Sequence, residues 1–229
     1  CGFDAARKLA ILSSIGFRAN VTFDDVLVEG IEKIDKSDIQ YAKDMGYTIK
    51  LLTVALRQEN GIALNVYPAF LPDNHPLSSV KGAYNAIYVT GNIVDDVMFY
   101  GRGAGALPTA SAVMGDVIST AQHILNGSTG TGMIMTDTKR IPFYSSLKLQ
   151  NSYYFRLDVD VTGVLSQIAA AFAENDISIC EVVQKRKTKG LAELVLITEL
   201  ASRESILQVE KALQVLPCMR KVANVIRVM

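Results

Sequence analysis

Over residues 153–228 the apolar positions alternate between two periods, and this succession constrains the fold more than any other feature of the chain. Short runs rich in β-branched residues at 153–160, 177–185, 192–199 and 221–228 read as strands. Between them Val164, Leu165, Ile168 and Phe172, and later Ile206, Val209, Leu213 and Leu216, recur at the spacing of one helical face. The resulting order, βαββαβ, is the ferredoxin-like one.

The preceding residues obey a different plan. Residues 4–17 read as a helix with Asp4 near its start and Gly16 near its end, and residues 36–46 as a second helix closed by Gly46. Runs at 48–56, 62–68, 86–90 and 97–100, separated by Gly, Asn, Asp and Pro, predict strands of one sheet. A helix over 109–125 comes next, with Pro108 at its entrance and Gly127 beyond its end. The stretch from Asn126 to Gly132 opens a segment rich in Gly, Ser and Thr, the best place for a domain boundary. The expected organisation is an α+β domain over residues 1–126, a linker over 127–150 and the βαββαβ domain over 151–229. A length of 229 residues suits two modest domains.

Composition narrows the function. Lys plus Arg and Asp plus Glu number 23 each, so no overall field draws the chain to nucleic acid or an anionic membrane. Cys1, Cys180 and Cys218 form no CxxC or Cys/His grouping, and His75 and His123 stand alone. Reduced cytoplasmic cysteines are expected, with neither a disulfide framework nor a metal site. No apolar run approaches the ~18 residues of a membrane span. The chain opens at Cys1, close to the start of a helical pattern, and reads as a piece of a longer protein.

Three places carry chemistry. Asp4 and Lys8 are four residues apart on one helical face, which is the spacing of an ordinary surface ion pair worth a few tenths of a kcal/mol. On the helical wheel they share a line with Ile11 and Ile15, while Arg7, Ala10 and Ser14 lie on the other side, the better solvated face. Charges extending an apolar stripe call for a polar ligand. The segment Gly2-Phe3-Asp4-Ala5-Ala6-Arg7-Lys8 resembles the end of the homoserine dehydrogenase signature, G-x-D-x-x-x-K. The resemblance implies that Asp4 binds L-homoserine or L-aspartate 4-semialdehyde and that Lys8 is the general acid/base. It also implies an upstream glutamate and a further aspartate that this chain does not contain.

The second place is Gly101-Arg102-Gly103-Ala104-Gly105-Ala106, which matches G-x-G-x-x-A between a strand and a helix. A dinucleotide fingerprint needs an acidic strand end about 20 residues on, where Leu125-Asn126-Gly127 offers a loop instead. A plain glycine turn is the alternative. The continuation Pro108-Thr109-Ala110-Ser111-Ala112-Val113 is similar to the late glycine loop of homoserine dehydrogenases, which implies that Gly105, and less directly Gly103, contacts NAD(P). A separate nucleotide-binding domain holds that cofactor in the family, so this piece alone is expected to bind it poorly.

The third is Asp158-Val159-Asp160-Val161-Thr162-Gly163-Val164-Leu165, which resembles the D-x-P-G-V-L turn of ACT domains with Thr162 in place of proline. Asp160, Gly163 and Ser178 are then the implied effector contacts; a tight turn without a ligand is the other reading. Together the resemblances imply part of a cytoplasmic homoserine dehydrogenase of threonine, methionine and isoleucine biosynthesis. L-threonine is the implied effector, a homodimer or higher homo-oligomer the implied assembly. A non-catalytic amino-acid-binding or dimerisation module remains the alternative, with a self-sufficient dinucleotide-binding protein behind it.

Overall fold

Helix α1 (Phe3–Phe17) turns Ala6, Leu9, Ala10 and Ser13 inward, the i, i+3, i+4, i+7 set of one face. Ala6, Leu9 and Ala10 pack with Ile62, Leu64 and Val66, and with Ala19, Val21 and Val26 from the turn after the helix. The computed structural model describes residues 1–129, 141–160, 163–186 and 191–229. After α1 come β1 (Leu27–Val28), α2 (Lys36–Asp44), β2 (Tyr47–Gln58), β3 (Gly61–Pro72), β4 (Tyr84–Gly91), β5 (Asp95–Arg102) and α3 (Ala106–Leu125). The C-terminal part holds β6 (Gln150–Asp160), α4 (Val164–Ala173), β7 (Ile179–Arg186), β8 (Leu191–Thr198), β9 (Ala201–Ser202), α5 (Arg203–Gln214) and β10 (Met219–Val228). These elements form two compact units, Cys1–Pro72 with Thr138–Met229, and Asp73–Asp137.

The four N-terminal runs do not form one sheet. β2 and β3 pair antiparallel from Tyr47↔Pro72 to Gln58↔Gly61 and belong to an eight-stranded sheet. β4 and β5 pair with each other in a separate two-stranded ribbon. The physical difference is burial: every residue of β3 from Gly61 to Leu71 is buried, as a central strand requires, whereas every residue of β5 is exposed. Strand-like composition identifies a strand but not its neighbours. α3 begins three residues before the expected Thr109, because Pro108 falls in the first turn, where its missing N–H has no helical partner to lose.

The C-terminal strands lie in the order β10-β6-β8-β7, with antiparallel pairing throughout. α4 and α5 cover one face with Ile168, Phe172, Ile206, Val209 and Leu213 against Phe155, Leu157, Leu194 and Leu196. On the other face Tyr41 and Ala42 of α2 pack with Phe70, Tyr154, Val195 and Ile226. Phe70 and Tyr154 stack with centroids 4.4 Å apart. Full burial of such side chains contributes roughly 1.5–3 kcal/mol each.

The sheet runs through the boundary expected from the sequence. The far edge of β10 pairs in parallel with β3, Arg227 opposite Ala69 and Val228 opposite Phe70. Residues 130–140 of the expected linker lie outside the described residues. Beyond them, Phe143 bridges to Ile62.

Candidate functional site

Asp4 and Lys8 stand one turn apart on α1, Lys8 Nζ 2.8 Å from Asp4 Oδ2. Both side chains are exposed, 81% for Asp4 and 64% for Lys8. The wheel assignment of the solvated face is corrected here. Ala10 is buried and Ser14 hydrogen-bonds to the Val21 backbone, whereas Ile11 and Ile15 are exposed on the line of the ion pair. The small residues Ala6 and Ala10 let α1 approach β3 closely, and this steric fit outweighed the hydrophobicity of the isoleucines. The result is an exposed strip in which a carboxylate and an ammonium adjoin Phe3, Ile11 and Ile15.

The glycine loop belongs to the other unit and separates its two candidate glycines by role. A Cβ on Gly103 would lie 1.5 Å from Asn85 Nδ2, so this position is glycine because the side chain of β4 occupies the space. Gly103 N–H donates to Ala83 O at 3.1 Å, closing the ribbon. Gly105 caps α3 with φ +127°, a conformation that disfavours side chains, and a Cβ there would meet only Pro108, at 3.4 Å. It therefore combines a backbone open to a neighbour with the N-terminus of a 20-residue helix, where an anionic group is favoured. Those two properties suit a phosphate-bearing cofactor at Gly105, and the packing of Gly103 is explained without one.

At the third place Gly163 caps α4 in the left-handed region, φ +69°. A cavity of about 200 Å³ opens beside it, lined by Val159, Val164, Ser166, Gln184 and Leu194. Asp160 accepts from Arg220 Nε at 2.8 Å, and its backbone N–H donates to Cys218 O. Val161 and Thr162 of this turn lie outside the described residues. Ser178 lies just before β7, exposed, beside a wide depression of about 580 Å³ that also touches Ala169 and Asp176. Gly163 and Ser178 thus flank opposite ends of α4, whose 10 residues span about 15 Å. Within one chain the structure brings Asp160 and Gly163 together and leaves Ser178 apart.

Two clusters were not anticipated from the sequence. Arg156 of β6 donates to Asp38 through Nε at 2.7 Å, to Asp35 through one terminal nitrogen, and to Glu193 at 3.4 Å. Tyr41 Oη donates to Glu193, and Asn224 Nδ2 donates to Asp38 Oδ2 at 2.7 Å and to Lys33 O. Asp35 and Asp38 are also the reciprocal capping box that starts α2, so the same carboxylates cap the helix and dock it. Burial raises the Asp35 carboxyl, but the Asp38 N–H, the Arg156 charge and the Ser37 N–H outweigh it and hold the group below its ordinary value. The signal was present in the sequence as lone charges inside apolar strands, Arg156 and Glu193, whose partners only the fold reveals. The second cluster is Arg227 with Glu29, 2.8 Å apart, with the guanidinium 4.1 Å above the Tyr67 ring.

Among the described residues no group of three His, Cys, Asp or Glu side chains is placed to hold a metal ion. None of their helices is long and apolar enough to cross a membrane. Cys1 and Cys180 are exposed and Cys218 is buried, all three as free thiols.

The profile of the family described as homoserine dehydrogenase matches residues 1–118, and that of the ACT domain matches residues 155–218. A homoserine dehydrogenase of Bacillus subtilis (strain 168) is 37% identical over 231 residues, covering 99% of this chain and 53% of the relative. One from Helicobacter pylori is 38% identical over 228 residues, with 99% and 53% covered. The crystal structure of a homoserine dehydrogenase from Thiobacillus denitrificans superposes with a TM-score of 0.91 at 32% identity, covering all of this chain and 53% of that one. The chain therefore spans about half the length of the relatives it matches. Its fold is α+β, a mixed sheet with a C-terminal ACT domain. On the match over residues 1–118, and the agreement of structure along the full chain, the chain belongs to the homoserine dehydrogenase family.

Proposed function

We infer that this chain supplies the substrate-handling part and the regulatory module of a cytoplasmic homoserine dehydrogenase. The whole enzyme would interconvert L-aspartate 4-semialdehyde and L-homoserine with NAD(P) in threonine, methionine and isoleucine biosynthesis. The observation that carries this reading is the Asp4–Lys8 pair, exposed on α1 within the matched region and bordered by apolar side chains. A carboxylate attracts the substrate's ammonium group. The Lys8 ammonium stabilises the alkoxide that develops as the carbonyl is reduced and delivers its proton; in the reverse direction the neutral Lys8 amine takes the hydroxyl proton away. When bound, NAD(P)H supplies the hydride. Gly105 at the N-terminus of α3 is its proposed contact in this chain, Gly103 a neighbour whose own role is packing. One contact of this kind gives the isolated chain little affinity for the cofactor.

The ACT module would take L-threonine as feedback effector. The cavity of about 200 Å³ beside Gly163 leaves room for a molecule of amino-acid size. Asp160 and Gly163 are the proposed contacts on one side and Ser178 on the other. Because Ser178 lies at the far end of α4, one ligand touching all three needs a second copy of the chain, which supports a homodimer. The second reading, for this piece by itself, is an amino-acid-binding, dimerising body, which the cavity beside Gly163 favours.

Assay of the full-length protein for NAD(P)H oxidation by L-aspartate 4-semialdehyde, with and without L-threonine, tests the first reading. No turnover refutes the dehydrogenase assignment, and turnover insensitive to threonine refutes the effector assignment. Thermal-shift titration of the 229-residue chain separates its own capacities: stabilisation by threonine alone fits a sensing body, while strong stabilisation by NADPH contradicts poor cofactor affinity.

A further inference from the structure

β10 touches both ends of this molecule's proposed control problem. Its first residues lie at the effector turn: Met219 pairs with Val159, Arg220 holds the Asp160 carboxylate at 2.8 Å, and Cys218 O accepts from Asp160 N–H. Its last residues, still paired with β6 on one edge, meet the edge of β3 on the other, Arg227 opposite Ala69 and Val228 opposite Phe70.

That edge of β3 is shared. β1 occupies it just upstream, Leu27 opposite Asn65 and Val28 opposite Val66, with Glu29 N–H donating to Val66 O at 2.7 Å. β1 and β10 therefore meet nearly end to end, and Arg227 bridges the junction to Glu29 over the Tyr67 ring. The Arg227 side chain is 8% exposed and that of Glu29 33%, so the pair is partly shielded from solvent. One residue back from Glu29, Val28 abuts Gly2: a Cβ on Gly2 would lie 3.0 Å from Val28 Cγ1 and 3.2 Å from Val66 Cγ1. Gly2 is the N-cap of α1, the helix that carries Asp4 and Lys8, and its carbonyl accepts the first helical bond from Ala6 N–H.

We propose that Arg227 and Glu29 are positioning residues that tie the effector turn, through β10, to the N-terminus of the helix bearing Asp4 and Lys8. The inference rests on the reading of those residues as the proton-handling site and of the turn as a ligand site. β10 has the slack such a relay needs: its pairing with β6 shifts register between Met219 and Lys221 and again between Val222 and Asn224. Both irregularities lie between the turn and the seam, and a bulge bends its strand and so redirects the residues beyond it. From Asn224 to Val228 the pairing is unbroken, so a displacement entering that half arrives at Arg227 as a rigid shift. A ligand ammonium that draws Asp160 away from Arg220 is one such input.

The test is amide hydrogen exchange on the full-length protein, read at residues 2–8 and at 219–222. Two perturbations are applied at the turn: L-threonine, and Asp160→Asn, which breaks the Arg220 ion pair without any ligand. Asp160→Asn should change the protection of the Ala6 amide at least threefold in the otherwise native protein, and that change should vanish in Glu29→Gln. Arg227→Lys, which keeps the charge near Glu29, should retain part of the response and guards against mere misfolding. No change at residues 2–8 in Asp160→Asn overturns the relay, and so does an unchanged response in Glu29→Gln. If threonine leaves exchange unaltered while Asp160→Asn alters it, the threonine assignment falls and the relay stands.

Discussion

Arg156 and Asp38 meet at 2.7 Å with the carboxylate fully buried and the guanidinium nearly so. One belongs to the first strand of the ACT module and the other to the first turn of α2, so a buried charge pair joins parts of the chain 118 residues apart. Removing one partner of such a pair leaves the other charged and unsolvated, which is far costlier than losing a surface pair. Arg156→Ala should therefore destabilise the protein by roughly 3–5 kcal/mol, read as a lower denaturation midpoint in urea. Arg156→Lys should recover only part of that loss, because a point charge cannot serve Asp35, Asp38 and Glu193 together.

The Asp35 carboxyl, also in this cluster, gives a pH dependence of known sign. Its folded-state value is depressed, so its contribution to stability is complete above the unfolded value of about 3.9 and is lost as pH falls through the lower folded value. Asp35→Asn keeps a good helix cap and removes the titration. Midpoints measured from pH 7 down to 2 should show a shallower acid loss for Asp35→Asn; identical slopes would mean that Asp35 does not contribute to acid unfolding.

Lys8 is exposed and its ion pair with Asp4 spans one helical turn, so its loss should cost stability less than about 1 kcal/mol. In the full-length enzyme Lys8→Ala should nonetheless lower kcat by roughly a hundredfold or more, the usual scale for a general acid/base. Asp4→Asn should act mainly on KM. Unchanged kcat in Lys8→Ala with a folded protein would reduce the pair to a surface ornament of α1.

Gly103 and Gly105 should respond differently to the same change. Gly103→Ala collides with Asn85, and Asn85→Ala in the same protein should restore its melting temperature. Gly105→Ala meets no such neighbour, but φ +127° penalises any side chain, and no second substitution should relieve it. In the full-length enzyme the KM for the nicotinamide cofactor should rise for Gly105→Ala and stay near normal for the rescued Gly103 variant.

At the turn proposed to bind the effector, Gly163 holds φ +69°, which costs a β-carbon-bearing residue about 1–2 kcal/mol. A bulky residue there, such as Gly163→Val, should also intrude on the adjoining cavity. Threonine inhibition of the full-length enzyme should weaken while uninhibited activity stays near normal. Loss of both would indicate misfolding, and retention of both would place the effector elsewhere.

The sequence by itself determined the local elements. The βαββαβ order, α1 and α2 were legible because apolar spacing encodes which side of an element is buried, and residues such as Gly16 and Gly46 mark where a helix ends. The Asp4–Lys8 spacing and the glycine loop were visible because each lies within a few residues of chain, while the roles proposed for them rest on the family resemblance.

What only the tertiary structure decided is which local pieces share a surface. The two N-terminal hairpins look alike as strings, yet β2–β3 enters the large sheet and β4–β5 does not. The same holds for Ala10 and Ile11, where close approach to β3 chose the smaller side chain for burial. Arg156 with Asp38, and Arg227 with Glu29, are separated by 118 and 198 residues. No local pattern encodes such pairs. They exist because the last residues of β10 pair with β6 on one edge and β3 on the other, and a strand with two hydrogen-bonding edges joins both parts into one sheet.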